Sequence, residues 1–189
     1  AESIPFNLRI IGNGVEFAGV QEAVKAAGLI GRVEMLGSKG PDEVKSAMAE
    51  SDVFLFTSDY REGWGAVLNE AMGCGTAEVA SHACGSTNFL IRHGVNGLIY
   101  PCGCIESLQR QVRLLAIDGD LRIRLGRAAR ETVHGEWGAH SAASRLLELS
   151  DSIVGKRANP FTAGPCSKAY DVSNEEAEAA VFDSIKRQD

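Results

Sequence analysis

The chain has 189 residues, 44% of them hydrophobic, enough for one well-cored globular unit followed by a tail. A formal net charge of −6 excludes the clustered lysine and arginine footprint that a nucleic-acid partner requires. No run of about 18 apolar residues is present, and the opening AESIPFNLRIIGNG lacks the basic, apolar and small-residue succession of a secretion signal, so the chain reads as soluble and cytoplasmic.

The first apolar run, LRIIG at 8–12, predicts a strand. A helix over 16–27 follows, then a strand RVEMLG at 32–37 and a helix near 41–50. The run DVFLFTS at 52–58 predicts a further strand, a helix follows from about Ala66 to Gly73, and TAEVAS at 76–81 returns as a strand. This β-α-β-α order implies a parallel sheet covered by helices on both faces, an α/β fold of the Rossmann-like three-layer kind. VNGLIYP at 95–101 adds one short strand. Beyond Pro101 the texture turns helical, over 105–117, 121–134 and 139–154, with Gly119 and Gly135 as the expected stops. The Rossmann-like domain is placed at 1–154. The tail from Gly155 is turn-rich, expected to be unsupported, disordered or docked elsewhere, and EEAEAAVFDSIKRQ reads as a terminal helix.

Five cysteines, Cys74, Cys84, Cys102, Cys104 and Cys166, form an odd set without framework spacing, so reduced thiols are expected. The CGC at 102–104 lacks the two separated pairs of a zinc ribbon. The histidines, His82, His93, His134 and His140, show no ligand rhythm, so no metal is expected. His82 and His93 are read as structural, and Trp137 as a packing anchor.

The stretch REGWGAVLNEAM, Arg61 to Met72, carries the chemistry. Parallel α/β sheets bind ligands beyond the carboxyl ends of their strands, and Glu62 to Gly65 falls there if DVFLFTS is a central strand. Gly63 and Gly65 remove side chains where backbone must turn or approach a ligand closely. A helix starting near Ala66 aims unpaired N–H groups and a partial positive end into the same space, an anion seat suited to a diphosphate. Trp64 adds a flat wall and its own backbone N–H. Glu70, one helical turn beyond Ala66, points to the mouth of the site, while Val67, Leu68, Ala71 and Met72 face the sheet. Two carboxylates beside an anion seat would repel a bare phosphate. A ligand carrying its phosphates between two sugar rings, as a nucleotide-sugar does, removes that conflict.

From LRIIGNG through RVEMLG, SDVFLFTSDYREGWGAVLNEAMGCGTAEVAS and GVNGLIYP, over about residues 7–150, the sequence resembles the C-terminal, donor-binding domain of the retaining GT-B glycosyltransferases of family 4. The wording EGWGAVLNEAM is similar to bacterial polysaccharide-assembly enzymes. The resemblance implies transfer of a sugar from a nucleotide-diphosphate sugar, such as a UDP-sugar, to an acceptor hydroxyl with retention of configuration, without cofactor or required metal. It maps the contact with the transferred sugar onto Glu62, the catalytic candidate, and the hold on sugar and diphosphate onto Gly63 and the amides of Trp64, Gly65 and Ala66. Glu70 takes the ribose hydroxyls. Gly12, Asn13 and Gly14 lie near the donor phosphates, and the loop around Leu36 and Gly37 borders the nucleobase.

The same resemblance places the acceptor on a separate N-terminal domain, with a histidine near the transferred sugar and an arginine and a lysine ahead of the strand that begins here at Leu8. None of these is in the sequence. The chain is therefore expected to bind donor weakly by itself and to transfer almost nothing, with any peripheral membrane contact belonging to the longer enzyme only. A non-catalytic nucleotide-binding module and a nucleotide-sugar epimerase domain are the alternative readings. Two residues depart from the family pattern. Glu78 stands in a strand expected to be buried, where it must face an edge, weaken the strand or take up a proton. Asn88 replaces a customary acidic residue.

Overall fold

The computed structural model describes residues 4–168. The expected terminal helix lies outside them. The elements in chain order are β1 (Leu8–Ile11), α1 (Phe17–Ala26), β2 (Val33–Gly37), α2 (Pro41–Ala49), β3 (Val53–Phe56), α3 (Ala66–Cys74), β4 (Ala77–Ser81), α4 (Gly85–Leu90), β5 (Leu98–Tyr100), α5 (Ile105–Ile117), α6 (Gly119–His134) and α7 (Ala139–Val154). Every strand pair is parallel, as the alternation predicts. The strands pair in two hydrogen-bonded sets, β1 with β2 and β3-β4-β5 with β4 central. By contact the chain divides into two compact units, Ala1–Glu50 and Ser51–Asp189.

In the first unit β1 runs beside β2 in the register Leu8 to Val33. α2 begins with Pro41 at its first turn, where a missing N–H costs nothing, and the Gly40 N–H donates to Glu43 Oε2 at 3.1 Å. Lys39 bridges the same carboxylate at 2.9 Å, and the bond from Lys39 holds Glu43 below its ordinary pKa.

In the second unit side chains alternate across β4, so its two faces feed two cores. Ala80 joins Phe56, Leu68, Met72 and Ala129 on one face; Ala77 and Val79 join Leu98, Leu115 and Leu125 on the other. On α3, Leu68, Ala71 and Met72 are buried, as the helical spacing predicts, and Val67 packs beside them. α6 closes against the end of α3 through Gly126, where an added Cβ would collide with the Gly75 carbonyl oxygen. Overpacking against backbone has no rotamer to relieve it, so Gly126→Ala is expected to cost about 2 kcal/mol of stability, read as a lowered urea midpoint at unchanged slope.

One expectation needs correction. Gly119 does not stop a helix but opens α6, because the Asp118 side chain accepts from the Leu121 N–H at 2.8 Å and caps it. α4 was not foreseen: six residues, GSTNFL, are too few to show a helical apolar period. Of the alternatives for the tail, residues 155–168 dock on α7, where Arg145 donates to the Ala163 and Pro165 carbonyls and lies 4.9 Å from the Phe161 ring centre. The five cysteines are free, and among the described residues no helix is long and apolar enough to cross a membrane.

Candidate functional site

Chain leaves β3 at Phe56 and makes a turn before α3. Asp59 organises that turn. Its Oδ1 accepts from the Arg61 N–H at 2.9 Å, its carboxylate takes the Arg61 guanidinium in bonds down to 2.7 Å, and its carbonyl accepts from Glu62 N–H at 3.0 Å. The Arg61 bonds hold the Asp59 carboxyl well below the usual range, at about 2. Thr57, Ser58, Asp59, Arg61 and Glu62 line a hollow of about 330 Å³ at this end of β3. Glu70, exposed on α3, is not among those lining residues.

From Gly63 to Gly65 the backbone is held from one side by α4. The Gly85 N–H donates to the Gly63 carbonyl at 3.0 Å and the Ser86 N–H to the Trp64 carbonyl at 2.9 Å. Gly65 O accepts from Ser86 Oγ at 3.3 Å and from Leu68 N–H at 3.0 Å. Among the described residues there is no cis peptide, and in a trans peptide plane the C=O and N–H point oppositely. With three successive carbonyls turned to α4 and into the first turn of α3, the N–H groups of Trp64, Gly65 and Ala66 face the other way. No hydrogen bond among the described residues uses them. The N-cap of α3 is Gly65, which supplies no capping side chain and has φ +80°, and a Cβ there would also strike the Phe56 ring. The helix end therefore presents bare amides with a partial positive charge, which is what a diphosphate needs.

Behind the loop, His82 and Cys84 are held by neighbouring groups. His82 is buried; its Nδ1 accepts from the Cys102 N–H at 2.9 Å, so in the neutral ring Nε2 carries the proton, 3.0 Å from the Tyr60 hydroxyl. Burial pushes the Cys84 thiol up to about 11, with Glu62 adding to the shift, and its Sγ lies 3.3 Å from the Ser58 carbonyl oxygen, so it is a donor and no nucleophile. His93 Nδ1 accepts from the Ile99 N–H at 2.9 Å, and burial lowers its pKa. Asn88 donates Nδ2 to the His82 carbonyl at 3.1 Å, a bond a carboxylate cannot make.

Trp64 is not a simple wall. Its indole nitrogen donates to Asn69 Oδ1 at 2.9 Å and its ring meets Phe89 and Trp137. Sequence reasoning missed α4 as the support of the loop, and with it Gly85, Ser86 and Phe89; the only signal was a glycine in ACGST with no turn to explain it. In the first unit Gly12, Asn13 and Gly14 are exposed just after β1. The Gly12 N–H donates to the Gly37 carbonyl at 2.8 Å, so the two loops that the resemblance assigns to phosphates and base are bonded to each other.

This parallel α/β fold with an amide-lined loop after a strand defines a nucleotide-type binding domain. The family model for glycosyl transferases group 1 matches residues 1–132, and the chain belongs to that family. It is 31% identical over 147 residues to N-acetyl-alpha-D-glucosaminyl L-malate synthase of Bacillus anthracis, covering 78% of this chain and 38% of that protein. The lipopolysaccharide core biosynthesis glycosyltransferase LpsE of Rhizobium meliloti is 30% identical over 142 residues, 75% of this chain and 41% of that one. Among solved structures, Anabaena HepE in complex with UDP superposes with a TM-score of 0.67 at 26% identity, over 78% of this chain and 41% of that chain. The chain thus spans about two fifths of the length of these relatives.

Proposed function

We propose that the chain is the donor-binding half of a retaining glycosyltransferase that draws on a nucleotide-diphosphate sugar, with UDP as the nucleoside diphosphate. The observation that carries this is the set of three consecutive peptide planes at 63–66, pinned by their carbonyls and presenting unused N–H groups at the start of α3. The complex of HepE with UDP supports the choice of base. Glu62, at the edge of the hollow, orients the transferred sugar through its hydroxyls. Glu70 accepts from the ribose hydroxyls. As the glycosidic bond to the diphosphate breaks, negative charge grows on the leaving oxygens, and fixed amides stabilise it without reorganising. A second lobe carrying the acceptor would close over the donor and exclude water. The five free thiols fit a reducing compartment, and we place the protein in the cytoplasm.

The test is a thermal and calorimetric titration of the chain with UDP, GDP and ADP. UDP binding is expected to raise stability by about 2.7 kcal/mol at a hundredfold excess over Kd. No shift with any of the three removes the reading. Glu70→Ala is expected to weaken UDP about tenfold, the loss of charge-assisted hydrogen bonds, while leaving the unfolding midpoint in place. An unchanged Kd would remove Glu70 from the site.

A further inference from the structure

Trp64, Phe89 and Trp137 come from the loop after β3, from α4 and from the turn between α6 and α7. Their ring centres lie 5.6 Å (Trp64–Phe89), 5.7 Å (Trp64–Trp137) and 6.2 Å (Phe89–Trp137) apart, tilted or edge-on. Those are the separations of attractive aromatic pairs. The turn that carries Trp137 is tight: Trp137 N–H donates to the Thr132 carbonyl at 3.1 Å, and a Cβ on Gly138 would stand 2.6 Å from the His134 carbonyl oxygen. Trp137 also packs against the buried cluster around Leu68 and Met72. It is therefore a fixed plate against which the Trp64 ring rests.

Trp64 needs one. With Gly63 before it and Gly65 after it, its backbone has little conformational preference of its own. The α4 bonds hold the carbonyls, and the indole is the only side chain in 63–65 that can add a second hold. We infer that Trp137 is a positioning residue for donor binding, acting through Trp64 to fix the amides of Trp64, Gly65 and Ala66; this rests on the donor site proposed above. The protein has two tryptophans, both in this cluster, so indole signals report on it alone.

The test compares the parent with Trp137→Leu, which keeps an apolar contact with the core, and Trp137→Phe, which keeps a ring. UDP affinity is measured by calorimetry, the near-UV circular dichroism of the tryptophan pair is recorded, and urea unfolding serves as the structural control. Trp137→Leu is expected to weaken UDP about tenfold while retaining a cooperative unfolding transition, and Trp137→Phe to restore affinity to within about threefold of the parent. UDP is expected to perturb the indole dichroism of the parent. A Leu variant that binds UDP as the parent does overturns the proposal alone. A Phe variant as weak as the Leu variant also overturns it, since ring contact is then not what matters. A parent that binds no UDP, GDP or ADP overturns the site reading and this inference with it. If the Leu variant does not fold, Phe89→Leu, which removes the second ring from Trp64, is held to the same tenfold expectation, and unchanged affinity there overturns the proposal.

Discussion

Glu78→Gln is expected to be more stable than the parent at pH 7, by roughly 3 kcal/mol, and the gap is expected to close as the pH is lowered. Glu78 sits in the central strand of β3-β4-β5, paired with Phe54 on one side, and is fully buried. The sequence left three outcomes for it; an edge-facing position is excluded, and burial with an unpartnered Oε2 favours proton uptake. The Thr76 hydroxyl, with a single proton, lies 2.9 Å from the Ala71 carbonyl and 2.8 Å from Glu78 Oε1. If that proton goes to Ala71, the second bond needs a proton from the carboxyl. Oε2 has no partner among the described residues, which an ionised carboxylate would tolerate poorly. Burial, opposed only in part by the Thr76 hydrogen bond, pushes Glu78 up from 4.5 to about 8.

The sign of the pH dependence follows. Between 4.5 and about 8 the folded chain holds a proton that the unfolded chain has lost. Stability is thus fully present below the lower value and falls as pH rises, by about 1.4 kcal/mol per unit from this group, until the folded carboxyl ionises near the upper one. Glutamine, neutral at every pH, lacks that slope. Urea denaturation of both proteins from pH 4.5 to 8 measures it. Parallel stability profiles would show that Glu78 is ionised in the fold.

Gly85→Ala is expected to weaken UDP by about a hundredfold, well beyond what its effect on global stability explains. Gly85 is not strained; it is close. A Cβ there would stand 2.5 Å from the Gly63 carbonyl oxygen and 3.6 Å from Trp64 Cα, and both are backbone atoms with no rotamer to yield. The loop must move off α4, breaking the bonds from the Gly85 and Ser86 N–H groups and releasing the peptide planes whose far sides are the proposed seat. Ser86→Ala is the milder comparison, because it removes only the hydroxyl bond to Gly65 while the backbone bonds stay. Calorimetric titration of the three proteins with UDP, beside their urea midpoints, separates the loop from the fold. A Gly85→Ala protein with parental affinity would show that α4 does not set the loop.

Periodicity made most of the fold legible. The apolar runs 8–12, 52–58 and 76–81 each became a strand, and the bounds of α5 and α7 coincide with those expected. Two features escaped for physical reasons. α4 is shorter than two helical turns, so no apolar face repeats within it. Gly119 carries a stop signal by composition, but Asp118 just before it has the side chain that begins a helix, and the cap prevailed. At the site, the spacing of Glu62, the glycines and the start of α3 was readable because each is a local backbone requirement. The grip of α4 on 63–65 and the rings of Phe89 and Trp137 on Trp64 were not readable, because they join segments distant in sequence. Asp59 was missed for the opposite reason: Asp-Tyr-Arg is too common a loop sequence to announce a bidentate pair.

Amide chemical shifts of isotopically labelled chain, followed as UDP is added, address the donor seat atom by atom. The account predicts that the largest perturbations fall on the N–H groups of Trp64, Gly65 and Ala66, with those of Gly85 and Ser86, already bonded to loop carbonyls, moving less. Perturbations that bypass 64–66 while UDP binds elsewhere on the chain would contradict it.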